Sequence, residues 1–310
     1  MRRHVPSTGE AIEEFLVDLA GRRQREARTS PRTVRSYGTA LRVLLDSDTT
    51  LAILDTPAGA RRLRAAFTDR WGTGSPATWN ARRSAYVSAV AYWTGRGWLT
   101  TDPLDGLAAR PVPSSPSRAR PRLRIDKLLT DQRHPLRERC LWTMLYSTAA
   151  RAEEILALDV RDLDLPDVDG VNLDDPEQVA RLGGTGHVRR KGGRTDEVTW
   201  DGWTTLLILA LLDGRTSGPL FLATDRTGGR AKPRRLSYRQ ALDLFEAASR
   251  GWTFHDLRHS ALTHRSEDGM PTPMLMTKSG HRDIRSLARY ARPSVEAVRR
   301  WEDEHAARRR

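Results

Sequence analysis

Three short stretches of this 310-residue sequence hold residue types that could handle a phosphodiester. "YSTAARAEEILAL" puts Arg151 in what reads as the first turn of a helix, with Ser147 or Thr148 as the expected cap. Glu154 follows at i+3, on the same face, where it can hold the guanidinium. "TFHDLRHS" puts His255 and Arg258 at i, i+3 at another helix start, and helix N-termini favour phosphate. "GHRDIRSLARYARP", Gly280 to Pro293, places Tyr290 nine residues after His281 and among Arg285, Arg289 and Arg292. Guanidinium forks suit phosphate oxygens. Histidine moves protons near neutrality. A phenol becomes a nucleophile once its proton is taken and the phosphate is neutralised. Each stretch alone is ordinary, since single arginines usually sit on surfaces and single tyrosines usually pack. Their order and spacing together carry the signal.

The elements that must position these groups can be read from periodicity. In "TGEAIEEFLVDLAGRR", Ile12, Phe15, Leu16 and Leu19 recur at helical spacing. Ser30-Pro31 and Ser75-Pro76 are helix starts, and a shorter helix falls near Pro57–Asp69, which makes four helices in the first hundred residues. "LAARPVPSSPSRARPRLR", Leu107 to Arg124, breaks the periodicity and reads as an extended basic linker, either a strap along a phosphate backbone or a solvated tether. Further helices are predicted at "DQRHPLRERCLWTMLYSTAAR", "RAEEILAL", "WTTLLILALLDG", "SYRQALDLFEAAS", "FHDLRHSALTHRSED" and "TPMLMTKSG". "GHVRRKGGRTDEVTW" alternates on both sides of Gly192-Gly193, a hairpin signal. The expected fold is mainly α with a small β-sheet. A helical domain spans 1–107, a linker 108–123, and an α+β domain 124–310. The acidic stretch Asp164 to Gln178 would repel DNA and is expected to face away from it.

The formal net charge is +13, which calls for an anionic partner. Nearly all the positive charge is arginine, with lysine only at Lys127, Lys191, Lys232 and Lys278; phosphate contact or a GC-rich coding bias would each produce this. One cysteine, Cys140 in an apolar run, rules out an internal disulfide and a thiol metal cluster, and fits a reducing compartment. The N-terminus lacks an apolar signal core, and the longest apolar run, Leu206 to Leu212, is too short to span a bilayer. These features point to a cytoplasmic, nucleoid-associated protein that binds nucleic acid rather than membrane and needs no cofactor or metal.

Taken together, Arg151 with Glu154, "HDLRH" at His255–His259, Gly280-His281 and Tyr290 resemble the tyrosine recombinase (integrase) family of the lambda-integrase and Xer type. The resemblance covers about Leu123 to Arg300, and the first hundred residues are similar, less specifically, to that family's core-binding domain. It implies a site-specific recombinase that cleaves and rejoins double-stranded DNA at specific recombination sites. Tyr290 would be the nucleophile, leaving a 3′-phosphotyrosyl link and a 5′-hydroxyl. Arg151 and Arg258 would clamp the non-bridging oxygens, His255 would handle the proton, and His281 would donate to the phosphate. The family's hairpin lysine falls on Lys191, which would protonate the leaving 5′-oxygen. Arg32, Arg35, Arg82 and Arg83 are expected DNA contacts. A homotetramer on two duplexes is implied as well, with the tail helix marked by Val295, Val298 and Trp301 docking on a neighbour or folding back on its own domain. Besides a stretch from Leu165 to Gly186 that is longer than expected before the hairpin, two features depart from the family pattern: Ala149-Ala150 stands where Gly-Leu is frequent, and Ser279 where Leu often precedes Gly-His. Neither removes a reacting group, and both bear on packing. A non-catalytic DNA-binding protein on the same scaffold and a topoisomerase IB-like nicking-closing enzyme are the competing readings.

Overall fold

A computed structural model describes residues 5–21, 23–24, 27–113, 119–190, 193–223, 234–281, 283–287 and 295–307. The chain divides into two compact units, Met1–Ser114 and Ser115–Arg310.

The first unit carries α1 (Thr8–Gly21), the two-residue strands β1 (Arg23–Gln24) and β2 (Ala27–Arg28), α2 (Pro31–Leu44), a 3-10 turn at Leu51–Asp55, α3 (Pro57–Trp71) and α4 (Pro76–Gly95). The three helices that open on proline are capped by the residue before it. Ser30 accepts from Thr33 N at 3.1 Å, Thr56 from Gly59 N at 3.0 Å and Ser75 from Thr78 N at 3.2 Å. Proline at the first helical position sacrifices an N–H that has no intrahelical partner, and the hydroxyl satisfies one that would otherwise be orphaned. Phe15, Leu41, Phe67, Tyr86 and Trp93 fill the core. Phe67 meets Trp79 and Tyr86 edge-on, at 4.9 and 5.4 Å between ring centres. The polar tips in this core are satisfied: Tyr86 Oη donates to the Ala40 carbonyl and Trp93 Nε1 to that of Ala11.

The stretch read as an extended linker is anchored at both ends. Arg110 stacks 3.7 Å over Trp79 and donates to the Gly72 carbonyl, within the first unit. Arg120 N donates to Ser260 Oγ, and Arg122 pairs with Asp268, within the second. The chain is already helical from Arg122, so α5 (Arg122–Thr130) begins inside the residues read as linker. The burial of Ile125, Leu128 and Leu129 outweighs a sequence rich in breakers just upstream.

The second unit continues with α6 (Leu136–Thr148), α7 (Ala152–Leu156), β3 (Leu163–Asp164), α8 (Pro176–Ala180), β4 (Gly184–Arg189), β5 (Thr195–Trp200), α9 (Gly202–Leu212), α10 (Tyr238–Ser249), α11 (Phe254–Glu267), α12 (Thr272–Ser279), α13 (Ile284–Leu287) and α14 (Val295–Ala307). The sheet is antiparallel in the order β3-β4-β5, with Arg189 opposite Thr195 at the hairpin end. Val188, Val198 and Trp200 point into a core built around α6, with Leu141, Trp142, Met144, Ile155, Ile208, Phe221 and Phe245. Cys140 is buried there, and burial pushes its thiol pKa up, which leaves it an inert hydrophobe. A smaller cluster of Ala149, Ala261, Leu262, Leu275 and Leu287 joins the end of α6 to α11, α12 and α13. Trp301 of α14 lies against Gly269 of its own chain. Among the described residues, no helix is long and apolar enough to cross a membrane.

Candidate active site

Arg151 is the N-cap of α7 rather than a first-turn residue, and neither Ser147 nor Thr148 caps that helix. Both belong to the last turn of α6. Thr148 Oγ1 donates to the Met144 carbonyl and accepts from Ala150 N, a local turn between the two helices. Glu154 takes over the capping role. Its Oε2 accepts from Arg151 N at 3.0 Å, and its Oε1 accepts from Arg151 Nη1 at 2.8 Å. The expected Arg151–Glu154 pair is therefore present, with Glu154 buried and Arg151 half-exposed.

Ala149 closes α6 in the left-handed conformation, φ 52°. Side chains other than glycine enter that region at a cost of about 1–2 kcal/mol. The turn is secured from α11: Arg258 Nη1 donates to the Ala149 carbonyl at 2.5 Å, and Nη2 donates to the Ser279 carbonyl at 2.8 Å. Arg258 is 7% exposed. Two of the five guanidinium N–H groups thus fix the plane of its fork against backbone. The helix that carries it starts with a reciprocal cap between Thr253 and Asp256. His255 is the only exposed residue between Phe254 and His264 in that helix, and it lies in the first turn.

Arg190, the residue before Lys191, is not among the residues expected at the site. Its side chain is 5% exposed. Nη1 donates to the Ser279 carbonyl at 2.9 Å, beside the bond from Arg258. Nε lies 2.8 Å from Asp196 Oδ2 but off the hydrogen-bond direction, so this contact is an ion pair. Glu154 Oε2 is 3.8 Å from Nη1. Nη2 is buried without a hydrogen-bond partner among the described residues. The signal that could have found this residue is strand parity. Gly184, Gly186 and Val188 face inward along β4, and two residues on from Val188 is Arg190.

Gly280 closes α12 with φ 66°, and His281 follows. His281 Nδ1 is 2.6 Å from Ser279 Oγ. Lys278, on the same helix, donates from Nζ to the carbonyl and hydroxyl of Thr199 in β5, at 3.1 and 3.2 Å. Burial, aided by the nearby Arg265 charge, pushes its pKa down to about 8.

The structure thus links Arg151, Arg258 and His281 through Glu154, Arg190 and Ser279. Lys191 and Tyr290 lie outside the described residues. Arg32 and Arg35 are exposed on α2, and Arg82 is half-buried on α4. Arg83 beside it donates from Nε to the Leu107 carbonyl, within its own unit. Among the described residues, no group of three or more His, Cys, Asp or Glu is placed to hold a metal ion.

Residues 123–297 match the phage integrase family. The tyrosine recombinase XerD of Caulobacter vibrioides is 28% identical over 255 residues, covering 75% of this chain and 76% of that protein. The tyrosine recombinase XerC of Mycobacterium leprae is 30% identical over 267 residues, covering 76% and 80%. In fold, the chain is similar to the Tn1549 transposon integrase in complex with transposon right end DNA, with a TM-score of 0.65 at 12% identity over 97% of this chain and 99% of that one. It is similar also to a lambda integrase from a tetramer bound to a Holliday junction, with a TM-score of 0.63 at 17% identity over 91% and 76%. With the family match spanning more than half its length, and the Arg151–Glu154 pair and the hairpin present as that family would have them, the chain belongs to the phage integrase family, the tyrosine recombinases.

Proposed function

We propose that this protein cleaves and rejoins double-stranded DNA at specific sites through a 3′-phosphotyrosyl intermediate. The observation that carries the reading is the convergence on Ser279. The carbonyl of one residue accepts from Arg190 of the hairpin and from Arg258 of α11, and His281 follows two residues later. Glu154 ties Arg151 into the same network. Arginines from α7, the hairpin and α11 are held in one network around this turn, a costly arrangement unless an anion is to be met there.

In this reading the Tyr290 oxygen attacks phosphorus, the bond to the 5′-oxygen breaks, and the phosphate stays joined to the tyrosine. His255 takes the phenolic proton, and its exposed place in the first turn of α11 suits that role. Arg151 and Arg258 offset charge on the non-bridging oxygens. Lys191 delivers a proton to the departing 5′-oxygen, and His281 donates to the phosphate. Rejoining is the same step run backwards with another 5′-hydroxyl, so the bond energy is kept in the phosphotyrosine. The working assembly is a homotetramer on two duplexes, acting at the nucleoid.

The test is a nicked duplex from which the cleaved fragment diffuses away. Wild type should accumulate a covalent protein–DNA adduct, and Tyr290→Phe should form none while binding DNA within a few fold. An adduct that survives Tyr290→Phe would place the nucleophile elsewhere. Absence of an adduct from wild type on every duplex tried would favour a non-catalytic DNA-binding role, and relaxation of plasmids lacking any specific site would favour a topoisomerase-like enzyme.

A further inference from the structure

Ser279 is completely buried, and its hydroxyl has two contacts of 2.6 Å. One is to the Leu275 carbonyl, one helical turn back. The other is to His281 Nδ1. A serine hydroxyl has a single proton, whereas a carbonyl oxygen has none to give. An oxygen–oxygen distance of 2.6 Å is that of a hydrogen bond, so the proton lies between Oγ and the Leu275 carbonyl. Oγ then meets His281 as an acceptor, and the imidazole must be the donor from Nδ1. No other assignment satisfies both contacts. The backbone around the hydroxyl is held as well, because the Ser279 carbonyl takes the bonds from Arg190 and Arg258 and His281 N donates to the Met276 carbonyl at 3.2 Å.

We infer that Ser279 is a positioning residue that fixes the tautomer of His281, keeping a proton on Nδ1 so that Nε2 carries one only when the ring is an imidazolium. The inference rests on the recombinase reading for its consequence. If His281 donates to the DNA phosphate from Nε2, it does so as a cation, bringing a full positive charge rather than a neutral N–H. Such a charge-assisted bond is about twice as strong as a neutral one. The leucine frequent at this place in the family has no hydroxyl to offer an imidazole. Among the described residues, Arg190 and Arg258 bond to this turn, Asp196, Glu154 and Arg151 lie behind them in the same network, and Lys278 and Asp283 stand on its own segment.

The tautomer can be read directly. Long-range proton–nitrogen correlation spectra of the full-length protein, with His281 assigned by its loss in His281→Gln, report which ring nitrogen is protonated at a pH where the ring is neutral. The expected result is protonated Nδ1 in wild type and a move of the proton to Nε2 in Ser279→Ala. Protonated Nε2 in wild type, or protonated Nδ1 retained in Ser279→Ala, overturns the inference. Should Ser279→Ala fail to fold, the wild-type spectrum still decides. Because the free protein is observed, this result is independent of cleavage, and the Tyr290 adduct assay tests the recombinase reading separately. In single-turnover cleavage, Ser279→Ala keeps a neutral Nε2 donor, so its alkaline limb should move up by about 1 pH unit or more relative to wild type. A limb that stays in place in a folded, cleaving Ser279→Ala protein counts against the charged-donor consequence.

Discussion

Arg190 and Gly280 are packed so closely that a β-carbon on Gly280 would fall 1.3 Å from Arg190 Nη1. The glycine also has φ 66°, which other residues reach only at a cost. Arg190 cannot step aside cheaply, because it is buried, ion-paired with Asp196 and hydrogen-bonded to the Ser279 carbonyl. Gly280→Ala should therefore lose at least about 2 kcal/mol, the left-handed cost plus displacement of a buried guanidinium. Urea denaturation would measure the loss. Gly269→Ala is the control: among the described residues its β-carbon meets only Trp301, at 3.1 Å, so its cost should be mainly the backbone term.

Glu154 holds Arg151 by two bonds and sits 3.8 Å from Arg190, with 6% of its side chain exposed. Glu154→Gln keeps the shape and removes the charge. Cleavage should fall about tenfold or more, approaching the roughly 10²-fold or greater loss expected for Arg151→Ala and Arg258→Ala as removals of a phosphate clamp. Single-turnover cleavage with saturating protein separates this from weaker binding. Wild-type rates in Glu154→Gln would show that Arg151 holds its position without it.

A general acid matters only when the leaving group is poor. Lys191→Ala should be slow on ordinary DNA and recover on a substrate with a bridging 5′-sulfur, whose departure needs no proton. Arg151→Ala should not recover, because in the proposed reading it acts on the non-bridging oxygens. Equal recovery in both variants would reject this division. The neighbouring arginines are poor substitutes as acids, since a guanidinium hardly releases its proton, and the structure commits Arg190 to Ser279 and Asp196.

Lys278 supplies a pH dependence of stability. Its folded pKa is about 8, below its usual value of 10.5. Between those values the unfolded chain binds the extra proton, so unfolding becomes harder as pH rises through that window. Lys278→Met should remove this contribution, and the gap between variant and wild type should narrow or reverse toward pH 8 and below. Urea midpoints at a series of pH values from 7 to 11 would measure it. Parallel curves would show that the lysine is as well solvated folded as unfolded.

The features legible in the sequence were those set by local rules. Ser30-Pro31 and Ser75-Pro76 start helices because the cap and the proline act within three residues. The hairpin follows from alternation about a glycine pair, and the Arg151–Glu154 contact from helical spacing. The features missed were those decided by distant partners. Ala149 stands in a left-handed turn, φ 52°, that periodicity does not announce, and its carbonyl is taken by a side chain 109 residues away. Ser279 is a departure from leucine that local pattern reads only as a matter of packing, and its hydroxyl is engaged on two sides. α5 starts in a stretch rich in proline, serine and arginine because Ile125 and Leu128 find a core that local composition does not reveal. Thr148 reads as a cap for the helix after it and serves the turn instead, since Arg151 already fills the cap position.

The meeting of Arg190 and Arg258 on the Ser279 carbonyl has a consequence for how the chain is made. A ribosome delivers residues in order, and Ser279 comes after every other member of the network except His281. A nascent or prematurely terminated chain that ends before Ser279 holds the residues of α6, the hairpin and α11, but it lacks the common acceptor of both guanidiniums. Tyr290 is delivered later still. In the proposed reading, translation order therefore withholds the assembled turn until Ser279 is made and the attacking phenol until Tyr290 is made, and chains that stop before them carry the arginines without the means to break a strand.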